Sequence, residues 1–272
     1  MRGNFVSISA VSNIGQLRDI KKVCREEGID FPIVIGYQVS NRSINQGVNS
    51  ARQPVFSDLG SINDETRQFG FVTAVHYYTK DNATILGDLE KVAESLNPKD
   101  TLLQLNTFPP SLEIMRGIKE MGFKTIFKVA VSDKSNSEGG YAVWKGEGVQ
   151  DVSSGNLAPL VKQVYDRKDF IDYAMFDPSH GKNLDLVLDK DSLAVRFGRI
   201  LLDDIDIMEK DMRLVYAGGI KPSNVRAVVK SLNSFFKDKF SIDTESGVRV
   251  NNRISIDLIR EYLRGYRDEI GR

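Results

Sequence analysis

The sequence predicts an α/β protein, a closed (β/α)8 (TIM) barrel, on three observations. Eight short runs of apolar, β-branched or aromatic residues alternate with segments of helical periodicity, which implies parallel strands joined by right-handed crossovers. The chain has 272 residues, close to the size of one such barrel. Its last two runs each lead into a glycine turn, the place where a barrel of this kind often binds phosphate.

Taken in order, the strand-like runs are 5–10, 32–37, 70–77, 101–105, 125–131, 173–177, 213–217 and 240–243. Helical periodicity appears at 14–27, 85–96, 111–121, 157–165, 192–202, 223–232 and 256–266. The crossover after the second strand is assigned to 45–58, a polar stretch that carries Pro54. No linker or low-complexity tract interrupts the pattern, so one domain over 1–272 is expected. The connection after the fifth strand, 132–156, is long and rich in glycine and includes Tyr141 and Trp144. It is either a lid over the barrel mouth or a plain surface insertion.

Charge and cysteine content narrow the function. The 37 basic and 37 acidic residues cancel, so no global field draws nucleic acid or an anionic membrane, and any anion site is local. Cys24 is the single cysteine, which excludes an internal disulfide and a cysteine zinc cluster. On its helix it reads as a small buried side chain. No run reaches transmembrane length and no secretory h-region is seen at the N-terminus, so a cytoplasmic protein is expected. No metal-ligand spacing and no dinucleotide fingerprint are present, and no cofactor is expected.

In a barrel the C-terminal strand ends face the active site. That rule selects Ser9, Arg42, His76, Gln104, Asn106, Lys128, Asp177, His180 and Asp243. Both histidines of the chain fall in this set, which points to acid–base chemistry near neutral pH. Asp177 ends an apolar strand, where partial desolvation suits a general acid; capping the next loop is its plain alternative. Asp243 either binds substrate or holds local N–H groups. His76 is a base or a wall residue, and His180 touches phosphate or solvent. Arg42 grips a carboxylate with its planar fork or lies in solvent. Lys128 is a Schiff-base lysine or a charged partner within the barrel. The turns at Gly218-Gly219 and Ser246-Gly247 let backbone N–H groups approach a phosphate.

The run Ala217-Gly-Gly-Ile-Lys-Pro-Ser-Asn-Val225, followed by Ile242-Asp-Thr-Glu-Ser-Gly-Val-Arg249, resembles the closing signature of the phosphoribosylanthranilate isomerases. Thinner matches precede it in the right order: Ser7-Ile-Ser-Ala-Val-Ser-Asn13, Ser40-Asn-Arg-Ser-Ile44, Leu103-Gln-Leu-Asn-Thr107 and Phe176-Asp-Pro-Ser-His-Gly-Lys-Asn-Leu-Asp185. The resemblance implies a ribulose-phosphate-binding barrel and a cofactor-free Amadori rearrangement of an N-(5-phosphoribosyl)amine, in tryptophan biosynthesis or a related pathway. It implies Asp177 as general acid and Ser9 at the position of the family's catalytic cysteine. A serine hydroxyl is a far weaker base than a thiolate, so His76 is a possible substitute. The family's strand-four histidine is Asn106 here, and its Gly-Gly loop after the acid is Pro178-Ser-His. The expected partner is a small phosphorylated sugar. The alternatives are another phosphosugar enzyme (an aldolase, epimerase or synthase using Lys128) or a non-catalytic barrel that binds a phosphorylated metabolite.

Overall fold

Eight parallel strands close on themselves in the computed structural model, which describes all residues except 1–2, 49, 107–108, 130, 133–139, 146–147, 154–155, 179–185, 205–206, 208–209 and 271–272. In chain order the strands are β1 (Val6–Ser9), β2 (Ile33–Ser40), β3 (Val72–Tyr78), β4 (Thr101–Leu105) and β5 (Lys124–Lys128). A small excursion, β6 (Val131–Ser132), β7 (Gly140–Lys145) and β8 (Gly148–Ser153), comes next. The barrel resumes with β9 (Tyr173–Phe176), β10 (Arg213–Tyr216) and β11 (Phe240–Thr244). Around the barrel the order is β1-β11-β10-β9-β5-β4-β3-β2, and Val6 closes it by pairing with both Ile242 and Ile33. All eight expected strands are present.

Two apolar cores follow from alternation along each strand. Phe5, Val34, Ala74, Leu102, Ile126, Tyr173, Met175 and Val215 pack together as a separate inner cluster that fills the barrel. Their sequence neighbours, such as Val6, Ile35, Val75, Leu103 and Phe127, join the larger layer between strands and helices.

The crossover after β2 differs from the expected helix at 45–58. A short helix, Asn41–Gln46, comes first, and the main crossover helix is Leu59–Gln68. That helix was obscured because its inner face is partly polar. Asn63 and Thr66 are buried, where Asn63 accepts from Thr73 at 2.7 Å and Thr66 pairs with the Tyr37 hydroxyl at 2.5 Å. Hydrogen bonds there replace the apolar contacts that a periodicity reading requires.

The long connection after β5 holds an antiparallel sheet in the order β6-β7-β8. The side chains of Tyr141 and Trp144 lie outside the described residues, and so does His180. Among the described residues no helix is long and apolar enough to cross a membrane.

Candidate functional site

Period-two alternation places the site. With Phe5, Val34, Ala74, Leu102, Ile126 and Met175 pointing inward, the next inward positions toward the strand ends include Ser9, Gln38, His76, Gln104, Lys128 and Asp177. Most of these line one cavity of about 390 Å³ at the C-terminal mouth, together with Asn106, Asp243 and the Gly218-Gly219 turn.

On one side Lys128 donates to Asp177 at 2.5 Å, and both side chains are largely buried. Neighbouring strands β5 and β9 pair Lys128 with Met175, so the ammonium reaches one step up the adjacent strand to the carboxylate. Next to them Gln104 donates to Asn106 at 2.9 Å. The Gln104 side-chain oxygen is buried and finds no hydrogen-bond partner among the described residues. An acceptor left in that condition beside a cavity is a ready contact for a ligand donor.

Across the cavity Ser9 donates to Asp243 at 2.5 Å, and the Ser7 hydroxyl lies 3.2 Å from the Ser9 hydroxyl. Gly36 on β2 leaves room for this group. A Cβ there would lie 2.7 Å from Ser9 Oγ and 2.9 Å from His76 Nε2, so serine and imidazole share the space that a side chain would fill. His76 is buried, and loss of water pushes its pKa below the ordinary value. The carboxylates of Asp243 and Glu245 oppose that fall, and Lys128 adds to it. The imidazole is therefore held neutral near pH 7, able to accept at one nitrogen and donate at the other.

The two glycine turns form the third wall. Gly218 and Gly219 have φ of 104° and 63°, the left-handed region that favours glycine. Asn224 fixes their turn by accepting from the Lys221 N–H and donating to the Gly219 carbonyl, both at 2.9 Å. The second turn docks on the first. Thr244 donates to the Ile220 carbonyl at 2.7 Å, and a Cβ on Gly247 would stand 2.0 Å from the same oxygen. Gly247 thus serves turn-on-turn packing, while Ser246 lines the cavity.

One expectation needs correction. Arg42 lies exposed on the short helix, outside the cavity lining, because Ser40 caps that helix and Asn41 and Asn45 tie it to the buried Asp88 at 2.8 Å. The arginine at the mouth is Arg52, which donates to Glu245 at 2.9 Å and to Asn252 at 2.5 Å. Sequence reasoning passed over Arg52 because its partner is 193 positions away. Glu245 had a visible signal, lying inside the second glycine turn. Gln38 and Tyr78 were also missed, and alternation from Val34 and His76 would have found Gln38 and Tyr78 respectively. Cys24 is buried away from the site, and burial pushes its thiol up to about 11.

No family model matches the chain. A stretch of 58 residues is 36% identical to N-(5'-phosphoribosyl)anthranilate isomerase from Pyrococcus abyssi (strain GE5 / Orsay), covering 21% of this chain and 26% of that relative. The chain thus matches about a quarter of the length of this curated relative. The structure of N-(5'-phosphoribosyl)anthranilate isomerase from Pyrococcus furiosus superposes with a TM-score of 0.59 at 14% identity, covering 97% of this chain and 99% of that one. This chain has the fold of the phosphoribosylanthranilate isomerases. A phosphoribosyl anthranilate isomerase in complex with reduced 1-(o-carboxyphenylamino)-1-deoxyribulose 5-phosphate superposes with a TM-score of 0.56 at 18% identity, covering 97% of this chain and 99% of that one.

Proposed function

We propose that this chain is a divergent isomerase of the phosphoribosylanthranilate isomerase type, converting an N-(5-phosphoribosyl)amine from aldose to ketose in tryptophan biosynthesis or a related pathway. One observation carries the reading. Asp177 and Asp243 line a single cavity from the strands on either side of β10, whose end bears the Gly218-Gly219 turn. A phosphate seated on that turn sets the sugar between two carboxylates in different surroundings, which is the arrangement that divides acid from base work. Asp177 passes to the ring oxygen the proton that the Lys128 ammonium shares with it, so the pair acts together as the acid. The C2 proton leaves on the opposite side, where Ser9, His76 and Asp243 cluster. The reduced 1-(o-carboxyphenylamino)-1-deoxyribulose 5-phosphate held by one structural relative supports a phosphosugar ligand.

The test is growth of a tryptophan auxotroph lacking this isomerase, paired with turnover of N-(5-phosphoribosyl)anthranilate by purified protein. Growth and turnover are expected, and Asp177→Asn is expected to lower kcat by about 10²–10⁴-fold. Neither growth nor turnover by the wild-type chain would refute the reading. Because Lys128 also lines the cavity, a Schiff-base enzyme is the second reading. Its ammonium is committed to Asp177, and borohydride trapping with a carbonyl substrate is expected to leave Lys128 unmodified.

A further inference from the structure

Ser9 stands where the resemblance places a catalytic base, yet its hydroxyl proton points at Asp243 Oδ1 over 2.5 Å. A hydroxyl engaged as a donor to a carboxylate fixes that carboxylate, and it is the carboxylate that holds the basic lone pairs. Resting on the function proposed above, we infer that Asp243 is the general base of the reaction and Ser9 its positioning residue.

Three features of the fold converge on Asp243. It is the penultimate residue of β11, just before the turn carrying Ser246, and β11 pairs with β10, which carries the Gly218-Gly219 turn. Any phosphate held by the two turns therefore delivers its sugar directly over this carboxylate. Asp177 ends the other neighbour of β10, so acid and base stand on opposite flanks of one phosphate turn. His76 sits on β3, three strands round the barrel from β11, and its ring is packed against Ser9 across Gly36. The charged groups that act on the imidazole are Asp243, Glu245 and Lys128. The neutral ring thus backs the Ser9–Asp243 pair as a hydrogen-bonding wall.

The step balances without an outside reagent. Asp243 takes the C2 proton of the ring-opened iminium. The C2–H electron pair becomes the C1–C2 double bond, and the C1–N π pair moves onto nitrogen, giving a neutral enolamine. Asp243 returns the proton to C1 as the C2 hydroxyl gives up its own to the Lys128–Asp177 pair, which leaves the ketose and restores both the base and the acid.

The experiment compares steady-state kinetics of the wild type, Asp243→Asn, Asp243→Glu, Ser9→Ala and His76→Gln on N-(5-phosphoribosyl)anthranilate. Folding of each variant is checked by binding of the reduced phosphorylated product analogue. Asp243→Asn is expected to lose kcat by about 10²–10⁴-fold with KM within about threefold, since the lost interaction belongs to the transition state. Asp243→Glu is expected to keep part of the rate. Ser9→Ala is expected to lose about ten- to a hundred-fold in kcat, again with KM nearly unchanged, as a misaimed base should. If Asp243→Asn fails to bind the analogue, Asp243→Glu and Ser9→Ala decide. An Asp243→Asn enzyme that turns over like the wild type overturns the inference alone and leaves the proposed isomerase standing. So does His76→Gln, if it loses the full rate while Ser9→Ala keeps it. A wild-type chain with no turnover overturns both.

Discussion

Lys237 closes the helix Val225–Phe236 with φ 54° and ψ −121°, a conformation that L side chains rarely adopt. Its side chain is exposed, so the strain has no packing return, and its N–H still reaches the Asn233 carbonyl at 3.0 Å. Lys237→Gly is expected to stabilise the protein by about 1 kcal/mol, read as a higher urea midpoint with an unchanged slope. Gly36 is the opposite case, a glycine needed for space. Gly36→Ala drives a methyl into Ser9 and His76, and is expected to destabilise by about 1–3 kcal/mol. It should also lower kcat more than the stability loss explains, which parallel melting and rate measurements would reveal. At this scale the sequence was legible wherever strand alternation applied: His76, Gln104, Lys128, Asp177 and Asp243 line the barrel mouth, and Ser9 lies buried against Asp243. It was silent on Gly36, because a missing side chain acquires meaning only from the neighbours that occupy its place.

Among the elements, the last helix, Ile256–Ile270, is clasped to the end of the first, Ile14–Glu26, chiefly through Glu27, with Glu26 also accepting from Arg260 at 2.7 Å. Glu27 accepts from Arg260 at 2.7 Å and from Arg264, while Arg267 donates to the Glu27 backbone carbonyl. Hydrogen bonds from Arg264 and then Arg260 hold the carboxyl at about 2, well below its ordinary 4.5. A depressed carboxyl contributes stability above its unfolded pKa and loses it as pH falls through the folded one. The clasp therefore works fully above about pH 4.5 and fails towards pH 2. Glu27→Gln is expected to be less stable than the wild type at pH 7, and the gap in urea midpoint should narrow steadily from pH 4.5 to pH 2. An equal gap at both ends of that range would exclude this clasp. Elements were legible where their buried faces are apolar. The crossover Leu59–Gln68 was not, because Asn63 and Thr66 bury polar groups that only their partners Thr73 and Tyr37 satisfy.

Parallel pairing of the neighbouring strands β10 and β11 is what joins the two glycine turns across 24 positions of sequence, with Thr244 and Gly247 both meeting the Ile220 carbonyl. Gly247→Ala forces the turns apart, since backbone cannot yield as a flexible side chain does. Inhibition by inorganic phosphate is expected to weaken by about tenfold or more in this variant, alongside a stability loss of about 1–3 kcal/mol. The sequence alone determined the eightfold strand–helix alternation, the inward set of polar strand ends and the two glycine turns, because each is written in local periodicity or in local backbone demands. Only the tertiary structure decided how those groups pair. It turned Arg42 to solvent and brought Arg52 to Glu245, and it set Lys128 on Asp177 and Ser9 on Asp243. These are contacts between groups 49 to 234 positions apart, whose distances are fixed by the order of strands around a closed barrel and by no spacing along the chain.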